Sequence, residues 1–175
     1  MAAVETIAQN VFNQAVKGTQ YNPGVTAALA NLIVSQAKHE TNNFTSNAFR
    51  INNNAVGYKR YSGSNYQLSG GITSSEGDPY GHYASYQDSI KELIDWLYRR
   101  QREGVFPALT TVKTADQYGA LLKDAGYFGD TAANYTAALK RWFKEYGPAA
   151  AGIGIGAALV VAGLVYLYYR KKQKI

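Results

Sequence analysis

The stretch "LIVSQAKHETNNF", residues 32–44, carries an apolar run into a histidine, a glutamate, three small polar residues and a phenylalanine. Leu32, Ile33 and Gln36, with Leu29 before them, lie one helical turn apart, which predicts a helix from about Val25 to Glu40. Two chemistries compete for the pair at its end. His-Glu opens the zinc-protease motif H-E-x-x-H, in which two histidines one turn apart face a single metal ion. Here the second position is Asn43 and the chain's other histidine is His82, so that motif is not present. Glu40 is then either a solvated charge at a helix end or a residue that does chemistry.

Composition narrows the remaining chemistry. A chain of 175 residues suits one domain with an appendage. Without cysteine there is no disulfide scaffold, thiolate nucleophile or Cys-ligated metal, and two histidines disfavour a multi-His centre. We therefore expect neither metal nor cofactor. Fifteen tyrosines stand against two tryptophans. A tyrosine offers a flat apolar face and a hydroxyl, which suits sugars and nucleobases, although packing of half-buried surfaces is the better account of any single one.

The net charge of +6 is concentrated at one end: Arg170, Lys171, Lys172 and Lys174 leave 14 basic against 12 acidic residues in the rest. The basic balance is thus mostly a tail, and no nucleic-acid partner is expected. Before that tail runs "AAAGIGIGAALVVAGLVYLYY", residues 149–169, with no charge. Its helical length of about 31 Å matches the ~30 Å hydrocarbon core of a bilayer. Tyr166, Tyr168 and Tyr169 sit at the end next to the basic run, as membrane-interface anchors do. These features predict a C-terminal transmembrane helix in contact with lipid, with the basic end cytoplasmic. Gly152 and Gly156 form a GxxxG pair that would support helix-mediated self-association. The N-terminal segment lacks a basic region and a long apolar core, so it reads as an amphipathic helix rather than a signal peptide. Its apolar positions are Val4, Ile7, Ala8, Val11, Phe12 and Ala15.

Between these ends the pattern is mainly helical. The first helix stops at Gly18, and "YNPG" at 21–24 makes a turn. Residues 41–57 are asparagine-rich and aperiodic, predicting a loop with one helical turn. From Tyr58 to Tyr86, tyrosines and glycines alternate with polar residues, which predicts a short β-hairpin or long loop. Three further helices follow: one capped by Asp88 or Ser89 with Ile90, Leu93, Ile94 and Leu97 on one face, one capped by Thr114, and one capped by Asp130 or Thr131. The Gly147-Pro148 break separates a domain at 1–147 from the anchor and basic tail at 148–175.

Four segments in register resemble the glucosaminidase domains of glycoside hydrolase family 73, found in flagellar peptidoglycan hydrolases and bacterial autolysins. "LIVSQAKHETNNF" resembles A-Q-A-x-x-E-S-G-W-G, and "NNNAVGYK" resembles N-N-L-F-G-x-K. "YGHYASYQDSIKELIDWL" resembles the exit of the family's hairpin and its next helix, and "DAGYFGDTAANYTAAL" resembles G-Y-A-T-D-x-x-Y-A-x-x-L. The resemblance implies a mainly α (α+β), lysozyme-like helical domain with a small β-hairpin, acting on the glycan strands of peptidoglycan.

It also implies roles for particular residues. Glu40 maps onto the family's general acid, and Glu76, with Asp78 behind it, onto a second carboxylate in the hairpin. Tyr127 corresponds to a cleft tyrosine whose hydroxyl positions the substrate's N-acetyl group or a water. Asn54 and Gly57 match the N-x-x-G turn beside the acid, Tyr135 matches a further family tyrosine, and Phe44 stands where the family has tryptophan. Asn54, Phe44 and Tyr135 are accordingly candidate substrate contacts. Thr41-Asn42-Asn43 in place of S-G-W leaves bond specificity open among glucosaminidase, muramidase and lytic transglycosylase chemistry. The expectation is a membrane-anchored peptidoglycan hydrolase, in a bacterial envelope or in the virion of a membrane-containing bacteriophage. The alternative is a non-catalytic wall-binding or structural membrane protein that keeps the fold.

Overall fold

The computed structural model describes residues 3–75, 77–129 and 131–146. Helix α1, Val4–Lys17, buries Ile7, Ala8, Val11 and Ala15 on one side and ends at Gly18. Helix α2, Ala27–Glu40, begins at Thr26, whose hydroxyl accepts from the Leu29 amide at 3.3 Å. Every residue of α2 from Leu29 to Lys38 is buried. It is therefore enclosed on all sides, packed against α1 and a later helix, and not the one-faced helix that the periodicity describes.

Directly after Glu40 the chain takes three left-handed steps, at Asn42, Asn43 and Phe44. Asparagine tolerates this region better than most residues, whereas a phenylalanine there is strained. Thr41 holds the turn: its hydroxyl donates to the Ala37 carbonyl at 2.5 Å and accepts from the Phe44 amide at 2.8 Å. The Phe44 ring is then seated in the core against Phe49. Its burial offsets the strained backbone.

Helix α3, Asn47–Asn52, is capped by Ser46, which accepts from the Phe49 amide at 3.2 Å. The segment that follows has little regular structure. Its ladder is two residues long, β1 Gln67–Leu68 against β2 His82–Tyr83, antiparallel, with Gln67 opposite Tyr83 and Leu68 opposite His82. Side-chain amides supply what the ladder lacks. Asn52 accepts from the Ile72 amide at 2.9 Å and donates to the Ile72 carbonyl at 3.3 Å. Asn53 donates to the Tyr83 carbonyl at 3.0 Å, and Asn54 to those of Tyr58 and Gly81 at 2.7 and 3.1 Å. Three consecutive asparagines thus pin the lobe to the helical body, satisfying backbone groups that a sheet would otherwise pair.

Helix α4, Tyr86–Arg102, buries Ile90, Leu93, Ile94 and Leu97. Its cap is Ser85 rather than the expected Asp88 or Ser89: Ser85 accepts from the Asp88 amide and donates to the Asp88 carboxylate at 2.7 Å. A short 3-10 turn at Leu109–Thr111 leads to α5, Ala115–Asp124, whose Thr114 and Gln117 form a reciprocal capping box. Helix α6, Ala132–Tyr146, follows, with Thr131 accepting from the Asn134 amide at 3.3 Å.

The architecture is mainly helical with a small two-stranded sheet among the described residues, consistent with the expected lysozyme-like fold. No described helix is long and apolar enough to cross a membrane. The Gly147-Pro148 break, the uncharged run 149–169 with its Gly152/Gly156 pair, and the basic tail all lie outside the described residues.

Candidate active site

Glu40 is the last residue of α2. Tyr135, from the first turn of α6, donates its hydroxyl to Glu40 Oε1 at 2.7 Å. Tyr135 is itself held in place, its ring stacked on Phe128 at 4.0 Å between centroids and met edge-on by His39 at 5.2 Å. On the other side of the carboxyl runs the backbone of Gly57, with φ of 70°. A β-carbon there would lie 2.8 Å from Glu40 Oε2, so the close approach and the left-handed turn both require glycine.

The result is a carboxyl enclosed by protein on most sides while the residue keeps some exposure toward a cavity. Burial pushes its pKa up to about 7, against the smaller opposing effect of the Tyr135 hydrogen bond, which favours the ionised form. A carboxyl of this kind still holds its proton near neutral pH and can give it to a bound ligand. The cavity measures about 350 Å³ and is lined by Glu40, Gly57, Tyr58, Trp96, Arg100 and Tyr127 among others. Among its described lining residues Glu40 alone is acidic. Among all described residues, no cluster of His, Asp and Glu is placed to hold a metal ion.

Residues 10–148 match the glucosaminidase family, described as mannosyl-glycoprotein endo-beta-N-acetylglucosaminidase. The chain belongs to this family. It is a glycoside hydrolase. Among solved structures the glucosaminidase chain is similar to the glycoside hydrolase domain of FlgJ from Salmonella typhimurium, at 19% identity and a TM-score of 0.60, over 93% of this chain and 99% of that one. It is also similar to the catalytic domain of the autolysin Auto from Listeria monocytogenes, at 20% identity and a TM-score of 0.53, over 82% and 81% of the two chains. At these identities the two likenesses speak to the fold. No curated protein sequence matches the chain.

Within the glucosaminidase domain the expected site residues fall into different places. Glu40 and Tyr127 line the same cavity, and Tyr135 meets Glu40 from behind. Tyr135 is buried, so it touches the acid rather than offering a surface to sugar. The Tyr127 hydroxyl donates to the Val56 carbonyl, so its proton ties two walls of the cavity together and is not available to a substrate. Phe44, 2% exposed, packs on Phe49 and does not line the cavity. The αL turn at 42–44 swings its ring inward, and it does not replace the family tryptophan as a sugar platform. Asn54 is 1% exposed and its amide is spent on the Tyr58 and Gly81 carbonyls and the Val56 amide, so it holds the turn beside the acid, and it is not among the residues lining the cavity. Glu76 lies outside the described residues. Asp78 is exposed and forms an ion pair with Lys59 at 3.6 Å.

Trp96 and Arg100 line the cavity although the sequence does not single them out. They lie one turn apart on α4, with the Arg100 guanidinium over the Trp96 ring at 5.7 Å and Trp96 edge-on to Tyr127 at 5.5 Å. A tryptophan and an arginine at i, i+4, off the stripe formed by Ile90, Leu93, Ile94 and Leu97, are the signal that points to them.

Proposed function

We propose that this glycoside hydrolase cuts the glycan strands of peptidoglycan, with Glu40 as the general acid. The observation that carries the reading is the Glu40 carboxyl, enclosed between Tyr135 and Gly57, protonated to about pH 7 and open to an aromatic cavity. Cleavage of a glycosidic bond needs a proton on the departing oxygen, because an alkoxide is a poor leaving group. Tyr135 positions the carboxyl, and Trp96, Tyr58 and Tyr127 offer ring surfaces to the sugar.

The second half of the reaction has two routes. Glu76, in the hairpin segment, activates a water or stabilises the oxocarbenium-like transition state, or the substrate's own N-acetyl group takes that part. The length and lack of charge of residues 149–169 support reading them as a bilayer anchor, which would put the domain in a bacterial envelope or in the membrane of a bacteriophage particle that opens the wall on entry.

The test is digestion of purified peptidoglycan by the full chain in detergent and by Glu40→Gln, with the products resolved by mass spectrometry. Release by the first protein alone is expected, and equal release by both would remove Glu40 from the mechanism. The sugar at the new reducing end, or an anhydro end, identifies the bond and the route. Partition of the chain into the membrane fraction, lost on deleting 148–175, tests the anchor.

A further inference from the structure

A second cavity of about 230 Å³ shares Trp96 with the cavity at Glu40. Three stretches distant in sequence build it: Tyr21 and Asn22 from the α1–α2 turn, Tyr61 and Tyr66 from the irregular lobe, and Asp95 and Trp96 from α4. The Asp95 carboxylate fastens them to one another. It accepts from Thr19 Oγ1 at 2.7 Å, from Tyr66 Oη at 2.6 Å and from Asn22 Nδ2. Arg102 donates to Asn22 Oδ1 at 3.0 Å and closes the same corner. The walls are thus pre-set before any ligand arrives, which lowers the ordering cost of binding.

The lining has a definite chemistry. Tyr21 is 62% exposed and Tyr61 44% exposed, two of the few large apolar side chains left open on the described surface. Around them stand carboxylates and guanidiniums in equal number, Glu92 and Asp95 against Arg99 and Arg102. Balanced charge disfavours a polyanion such as nucleic acid, because the two carboxylates face the phosphates. A pyranose ring fits both features: its C–H face packs on an aromatic ring, and its hydroxyls accept from guanidinium N–H groups, the Asp95 and Glu92 carboxylates being engaged in holding the walls.

We infer that this cavity is a second saccharide subsite, which takes N-acetylhexosamine units of the same strand beyond those held beside Glu40. The inference rests on the glycan-strand reading given above. Trp96 is the shared wall, and the other α4 residues of the two cavities lie on neighbouring faces of that helix, so a strand crossing α4 at Trp96 passes from one cavity to the other. Affinity then grows with the number of sugars, and the growth depends on Tyr61 and Tyr21.

The experiment titrates β-1,4-linked N-acetylglucosamine oligomers, disaccharide and hexasaccharide, into the full chain carrying Glu40→Gln, with and without Tyr61→Ala. Loss of one stacking ring is expected to lower the hexasaccharide-to-disaccharide affinity ratio by about tenfold. An unchanged ratio, equal loss at both lengths, or no gain of affinity with length in the Glu40→Gln chain overturns the inference. Where Tyr61→Ala lowers the thermal midpoint, Tyr21→Ala, at the more exposed rim, decides by the same ratio. Wall digestion is read separately: a chain that binds by length but cuts nothing refutes the hydrolytic role of Glu40 and leaves the subsite standing.

Discussion

Gly57 passes so close to Glu40 that a β-carbon on it would lie 2.8 Å from the Oε2 atom. The contact joins the turn after α3 to the end of α2, and it makes a backbone position part of the acid's enclosure. Gly57→Ala would have to move the carboxyl, the turn or both, while placing an L side chain at φ 70°. A stability loss of about 1–2 kcal/mol is expected from the left-handed backbone. Wall-digesting activity should fall further, by about a hundredfold, because a displacement near 1 Å misaligns the proton donor. Comparing digestion rates with thermal midpoints checks this; activity that falls only with the folded fraction would place the carboxyl outside the chemistry.

Enclosure of Glu40 has a second consequence, in stability. Its pKa is raised from the usual 4.5 to about 7 in the folded chain. Between those values the unfolded chain has lost the proton and the folded chain retains it, so stability falls as pH rises through this window and levels off above it. The full effect is on the order of 3 kcal/mol. Glu40→Gln stays neutral throughout and its amide oxygen still accepts from Tyr135. It should therefore be more stable than the natural chain at pH 8 and lose that advantage by pH 4. Denaturant unfolding at the two pH values measures the difference; the same gap at both would mean the carboxyl is not buried in solution.

Tyr135 acts on the same group in the opposite direction. Its hydroxyl favours the ionised carboxylate, so Tyr135→Phe should raise the Glu40 pKa further. The basic limb of the kcat/KM profile then moves to higher pH. The kcat value falls several-fold, roughly what one lost positioning hydrogen bond of about 1 kcal/mol produces. A basic limb that stays in place would separate Tyr135 from the acid.

How far the residues announce this arrangement varies with the range of the interactions. The end of α2 and the Thr114 cap of α5 are local patterns, so spacing alone finds them. The α4 cap is displaced because Ser85 and Asp88 act together: the serine caps, and the aspartate three residues on completes the contact. Ser85, Asp88 and Ser89 are all good cap residues, and periodicity does not choose among them. The cavity walls are harder still. Trp96 and Arg100 reach Glu40's cavity from a helix more than fifty positions away, and such pairings leave no local trace. The asparagine run at 52–54 looks like a loop because its work is done by side chains on a distant backbone.

Phe44 tests the difference between a motif position and its role. A family motif places an aromatic ring there, and in this chain the ring lies in the core against Phe49 rather than on the cavity. Phe44→Ala removes a fully packed ring at the exit of α2, at a cost of about 3–5 kcal/mol. For a chain of this size the midpoint should drop by roughly ten degrees. Well below that midpoint the KM for glycan should stay within about twofold of the natural value, because the ring has no surface to offer a sugar. A large rise in KM with an unaltered midpoint would return Phe44 to the binding surface. It would also mean that the left-handed turn at 42–44 opens in solution.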